Sequence, residues 1–205
     1  MDDVERLCIH LADAGRNFYR RGWVLGTSGN FSAVVHRDPA QIVITASGAH
    51  KGVLSPTQFV RVDEAEGAIN GAVRPSAETK LHFSIVRLRG AGAVLHTHST
   101  WATLLSDRYG PDGGLSIEGY EMLKGLAGVS THEHREWLPI LENSQDYVLL
   151  AGNVEETLER HVAAHGFLLR RHGLYTWGWD IAEARRHVEI LEFLLEVIGG
   201  TQLKG

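Results

Sequence analysis

Two histidines stand one residue apart in Val94-Leu95-His96-Thr97-His98-Ser99. The residues before them are apolar and read as a strand, and in a strand residues i and i+2 point to the same side. His96 and His98 can therefore aim two imidazoles at one ion, at the carboxyl end of a strand where ligand sites concentrate. Imidazole is the commonest metal ligand near neutral pH. A catalytic zinc site usually takes three protein ligands and keeps one position open. A candidate third ligand stands far along the chain in Arg170-Arg171-His172-Gly173-Leu174-Tyr175. His172 follows the apolar run Phe167-Leu168-Leu169, and it serves equally well as an ordinary turn residue. A rival pair, His132-Glu133-His134, lies among Thr131, Arg135 and Glu136. Its polarity reads as a solvated loop.

Two carboxylates are candidates for proton transfer. Glu78 ends Pro75-Ser76-Ala77-Glu78, in the first turn of a predicted helix capped by Ser76. A glutamate there also simply complements the helix dipole. Glu121 stands in Gly119-Tyr120-Glu121-Met122-Leu123-Lys124-Gly125, ahead of a short helix, and position alone decides neither role. Two small-residue turns have the means to hold an anion: Gly26-Thr27-Ser28-Gly29-Asn30 and Thr45-Ala46-Ser47-Gly48-Ala49-His50-Lys51. Backbone N–H groups, hydroxyls and a lysine suit a phosphate. Neither turn matches the dinucleotide or P-loop fingerprint.

These residues need elements to position them. Val4, Leu7, Leu11, Ala14 and Phe18 recur at helical spacing and predict a helix over 3–21, stopped by Gly22. Strands are expected at 31–35, 41–45, 59–63, 93–98, 137–141, 167–171 and 174–177, with Ser55-Pro56 opening a short helical turn. Helices are expected at 77–89, 99–106, 121–126 and 154–164, with a Gly/Pro loop over 109–114. Asp180 and Glu183 form a capping box for a last helix, whose apolar stripe is Ile181, Ala184, Val188, Leu191, Leu194 and Ile198. Alternating helices and strands, with hairpins among them, argue for an α/β sandwich whose mixed sheet is covered on both faces.

Composition narrows the function classes. The chain has 205 residues, which fits one domain over 1–205, and no repeat or low-complexity tract divides it. A net charge of -5 without a large charged block argues against a nucleic-acid partner. No stretch approaches the about 20 apolar residues of a membrane helix, and the acidic start Met1-Asp2-Asp3 is unlike a secretory signal. Cys8 is the single cysteine, which suits a reducing compartment, so the cytoplasm is the expected location. Histidine is abundant, at 12 residues, and most of these are expected to be surface or capping residues.

Taken in order, the G-T-S-G-N turn, T-A-S-G, P-S-A-E, H-T-H-S and the late R-H-G resemble the class II aldolase/adducin family across nearly the whole chain. The segments Arg89-Gly90-Ala91-Gly92-Ala93-Val94, Tyr120-Glu121-Met122-Leu123-Lys124-Gly125, Pro139-Ile140-Leu141-Glu142-Asn143 and 170–178 resemble a dehydratase branch of it. The resemblance implies a three-layer α/β sandwich with a central mixed, largely antiparallel sheet flanked by helices. It implies one zinc ion per subunit on His96, His98 and His172, and a phosphate near Ser28, Gly29, Ser47, Gly48, Lys51 and Ser76. Glu121 matches the acid/base of the dehydratases, and Glu78 matches the base of the sugar-phosphate aldolases. The implied substrate is a small phosphorylated keto-sugar, and the implied assembly is a homotetramer with sites near subunit interfaces. The alternatives are a sugar-phosphate aldolase and, at a further remove, a non-catalytic adducin-like module, which would be expected to have lost these ligands.

Overall fold

The computed structural model describes residues 3–65, 67–69 and 73–202. Helix α1 (Asp3–Arg20) buries Cys8, Leu11, Ala14 and Phe18 on one side, as the helical spacing requires. A hairpin follows, β1 (Asn30–Arg37) with β2 (Ala40–Thr45), and then β3 (Phe59–Asp63) and the two-residue β4 (Gly67–Ala68). Next come α2 (Thr79–Arg89), β5 (Ala93–Thr97), α3 (Thr100–Tyr109) and β6 (Gly114–Ile117). The chain closes with β7 (Glu136–Leu141), α4 (Tyr147–Arg160), β8 (Gly166–Leu169), β9 (Gly173–Gly178) and α5 (Ile181–Gln202).

Among the described residues the strands form one sheet in the order β4-β3-β2-β1-β5-β9-β8-β7-β6. Every neighbouring pair is antiparallel except β7 with β8. The expected mixed, largely antiparallel sheet is therefore present. Helix α2 packs with α4, whereas α5 packs with α3 and α1. Side chains alternate accordingly along β8: Phe167 and Leu169 join the core that holds Leu81, Ile85 and Val154 of α2 and α4, while Leu168 joins Leu105, Leu191 and Leu194 of α3 and α5.

Several boundaries differ from the sequence expectation. Helix α2 begins at Thr79, so Glu78 is the residue before the helix rather than part of its first turn. Helix α4 begins at Tyr147, seven residues earlier than expected, because Asp146 caps it by accepting from the N–H groups of Val148 and Leu149 at 3.0 and 3.1 Å. Strands β4 and β6 lie outside the sequence expectation. Both are short edge strands, too brief to show an alternating pattern. The Glu121 segment is a 3-10 turn, Glu121–Gly125.

Candidate active site

The register aligns one row of side chains across the middle of the sheet. Asn30 pairs with His96, His96 with Tyr175, and Tyr175 with Phe167. The rings of His96 and Tyr175 stack at 3.9 Å between centroids and 11° between planes, and Phe167 continues the stack at 5.0 Å. Cross-strand neighbours on one face make such contacts, and here they fix the orientation of a wholly buried imidazole.

His98 lies one residue beyond β5, held by its N–H donating to Trp23 O at 2.7 Å. His172 sits in the tight turn between β8 and β9. Gly173 is needed beside it, because a Cβ there would fall 1.9 Å from the carbonyl oxygen of Thr97. The three Nε2 atoms converge: 2.8 Å between His96 and His98, 3.1 Å between His98 and His172, and 3.3 Å between His96 and His172. His96 Nδ1 donates to Leu174 O at 2.9 Å, and His172 Nδ1 donates to Asn143 Oδ1 at 3.3 Å. With the protons on Nδ1, both rings turn Nε2 lone pairs toward the common centre. Convergent imidazole lone pairs suit a borderline divalent cation.

The same crowding keeps the imidazoles uncharged. His98 is pushed down to about 3, first by burial and then by His172 and Lys51. Burial, followed by the two neighbouring imidazoles, holds His96 well below the usual range. Burial lowers His172 as well, against the opposing pull of Glu78.

Glu78 lies against this cluster. Its carboxylate oxygens are 3.5 Å from His96 Nε2 and 3.6 Å from His172 Nε2. A directed hydrogen-bond chain reaches it. Burial lowers His82 to about 3, so the ring is neutral. Its Nε2–H donates to Asn30 Oδ1, its Nδ1 accepts from Ser32 Oγ at 2.7 Å, and Asn30 Nδ2 donates to Glu78 Oε2 at 2.5 Å. The chain ends on an amide donor, which orients the carboxylate.

Beside the cluster lies a cavity of about 200 Å³. Ser28, Gly29, Ser47, Gly48, Lys51 and Ser76 all line it, together with Glu78, His98, His172 and Tyr147. The two small-residue turns meet where Lys51 N–H donates to Gly26 O at 3.4 Å, and the Ser76 segment is drawn alongside because Ser47 N–H donates to Arg74 O at 2.9 Å and Ala46 bridges Pro75. Gly29 has φ +73°, and a Cβ there would come within 2.6 Å of His96 O. Lys51 is 1% exposed. Its Nζ donates to Thr27 O at 3.0 Å and Ala49 O at 2.8 Å, so a third N–H remains available. Burial pulls its pKa down to about 8.

Glu121 is not brought to this cavity within the chain. Its side chain is 72% exposed and pairs with Lys124, which lowers its pKa. The rival histidine pair splits. His132 is exposed near Glu121, as the solvated-loop reading expects, but His134 turns inward to Glu136 Oε2 at 2.8 Å. Sequence reasoning placed Asn30 only in an anion-holding turn, not against Glu78, and missed His82, Asn143, Tyr147 and Tyr175 as parts of the site. The signals available were Asn30 at the start of a strand adjoining H-x-H and His82 one turn after Glu78.

A helix-flanked, largely antiparallel sheet of this kind is the fold of solved class II aldolases. L-fuculose-1-phosphate aldolase from Thermus thermophilus superposes with a TM-score of 0.78 at 24% identity, over 98% of this chain and 97% of that one. The chain belongs to the class II aldolase and adducin family: residues 9–198 match the Class II Aldolase and Adducin N-terminal domain. Methylthioribulose-1-phosphate dehydratase of Methylococcus capsulatus is 45% identical over 196 residues, which is 95% of this chain and 94% of the relative. The protein of that name from Marinobacter nauticus is 44% identical over 200 residues, 96% of this chain and 95% of the relative. No helix among the described residues is long and apolar enough to cross a membrane.

Proposed function

We propose that this chain removes water from 5-methylthioribulose 1-phosphate to give 5-methylthio-2,3-dioxopentyl phosphate, a step of methionine salvage. It does so as a cytoplasmic homotetramer with one zinc ion per subunit. The observation that carries the reading is the Glu78 carboxylate set against three convergent imidazoles, at the wall of a cavity also lined by Ser47, Gly48, Lys51 and Ser76. That arrangement suits a substrate with a phosphate at one end and an acidic C–H beside a carbonyl at the other.

His96, His98 and His172 would hold the zinc ion, which when bound supplies Lewis acidity toward a carbonyl. Lys51 and the N–H and hydroxyl groups of the two turns hold the phosphate and so fix the sugar's register. Glu78, oriented by Asn30, is placed to take the C3 proton. The electrons of that C–H bond form the C3–C4 double bond as the C4 hydroxyl departs, and an acid donates the proton that makes it water. The resulting enol then becomes the C3 ketone. Glu121 is the proposed acid. Its exposure on the single chain leaves it available to a neighbouring copy's cavity, in keeping with the interfacial sites that the family resemblance implies.

The family's other chemistry, cleavage of the C3–C4 bond after deprotonation of the C4 hydroxyl, needs the same binding groups, and Glu78 in the cavity serves it equally. Incubating the purified protein with methylthioribulose, fuculose and ribulose phosphates, followed by mass spectrometry, separates the two. Loss of one water from the first substrate alone supports the proposal. Carbon–carbon cleavage of any of them replaces it with an aldolase.

A further inference from the structure

A second cluster of metal-ligating side chains lies where the parallel strands β7 and β8 begin. His134 and Glu136 stand at i and i+2, and His165 immediately precedes β8. Glu136 is 1% exposed. Its Oε1 accepts from the His165 backbone N–H at 2.9 Å. Its Oε2 lies 2.8 Å from His134 Nε2 and 2.9 Å from His165 Nδ1.

The orientation of His165 is fixed from behind. Its Nε2 donates to Ala127 O at 2.8 Å, while Ala127 N–H donates to His187 Nε2 at 3.0 Å and His187 Nδ1 donates to Trp177 O at 2.7 Å. A carbonyl only accepts, so the His165 proton on Nε2 is committed. A neutral ring then turns its Nδ1 lone pair on a buried carboxylate oxygen. That contact calls for positive charge between them, either a proton or a cation shared with His134. A carbonyl behind a ligating imidazole is the usual means of fixing which nitrogen faces a metal.

We propose that His134 Nε2, Glu136 Oε2 and His165 Nδ1 form a second site for a late first-row divalent cation. Their three ligand atoms all lie within 4.8 Å of one another. Two imidazoles and one carboxylate form a donor set that zinc, cobalt and nickel accept. A cavity of about 250 Å³, lined by His134, Arg135, Glu136, Trp137, Arg160 and His161, opens beside the cluster, giving an access path and room for a water as fourth ligand. The ion ties the Ala127 loop to the starts of β7 and β8, and it thereby anchors the segment that follows Glu121. This site is independent of the reaction proposed above.

The test is metal stoichiometry on untagged, full-length protein that has been stripped, equilibrated with zinc and separated from free metal. Wild type should hold two ions per chain. His134→Gln, which keeps a hydrogen bond to Glu136 but ligates poorly, should hold one, as should His96→Ala, and the double variant should hold none. Zinc should also raise the melting temperature of His96→Ala and leave that of the double variant unchanged. A wild-type ratio of one that His134→Gln leaves intact overturns the proposal and leaves the cluster holding a proton alone.

Discussion

The side-chain amide of Asn30 donates to Glu78 Oε2 at 2.5 Å across 48 residues of sequence, so the orientation of the carboxylate is set by the first residue of β1. Removing that donor should disturb chemistry more than metal binding. Asn30→Ala is expected to lower kcat by about 10–100-fold, the usual worth of a group that orients a site from behind. Metal content by mass spectrometry should stay near wild type. An unchanged kcat would show that Glu78 keeps its position without Asn30.

Each of His96→Ala, His98→Ala and His172→Ala should abolish turnover and the zinc bound at that cluster while far-ultraviolet circular dichroism stays native. Wild-type occupancy in any one of the three removes that residue from the ligand set.

Lys51 titrates at about 8 because burial disfavours its charge. Below that pH it is a cation facing the cavity, and above it the charge is lost. Wild-type kcat/KM should therefore fall as pH rises through about 8. Lys51→Met should be about 10–100-fold lower at neutral pH, as expected for one charged hydrogen bond, and its profile should lack the alkaline limb. A limb that persists in Lys51→Met belongs to another group.

Glutamine keeps the shape of glutamate but cannot carry the proton. Glu78→Gln and Glu121→Gln should each retain substrate binding and lose about 10²–10⁴-fold in turnover. If Glu121 serves a neighbouring copy, mixing the two inactive variants after mild dissociation should restore part of the activity, since some cavities then hold both intact carboxylates. Separate inactivity without recovery on mixing argues that each carboxylate acts within its own chain or that Glu121 has no role.

Two of the three convergent histidines are legible in the sequence because H-x-H carries its own geometry: two residues apart in a strand means one side. His172 is ambiguous by itself and becomes informative only beside the rest. The position of Glu78 is less legible. Ser76 looks like a helix cap, yet the helix starts at Thr79, and that short offset decides whether Glu78 faces solvent or the histidines. Asn30 and His82 leave only faint local signals, and Tyr175 leaves none, since their roles depend on which strands become neighbours. His134 misleads for a related reason. Its neighbours in sequence are polar, but its partners, Glu136 and His165, are brought together by the parallel pairing of β7 and β8.

His96 and His172 are 76 residues apart, and they meet only because β9 is inserted between β5 and β8. A chain emerging from the ribosome exposes His96 and His98 well before His172 has been made. During that interval it offers two imidazoles and no closed cage, so a captured ion is held loosely and exchanges. Full affinity arrives with the last part of the chain and with the slow, long-range strand pairing that docks β9. Tight retention at the three-histidine cluster would therefore be a signature of completed folding around β9, and a nascent or truncated chain that lacks His172 cannot counterfeit it at that cluster.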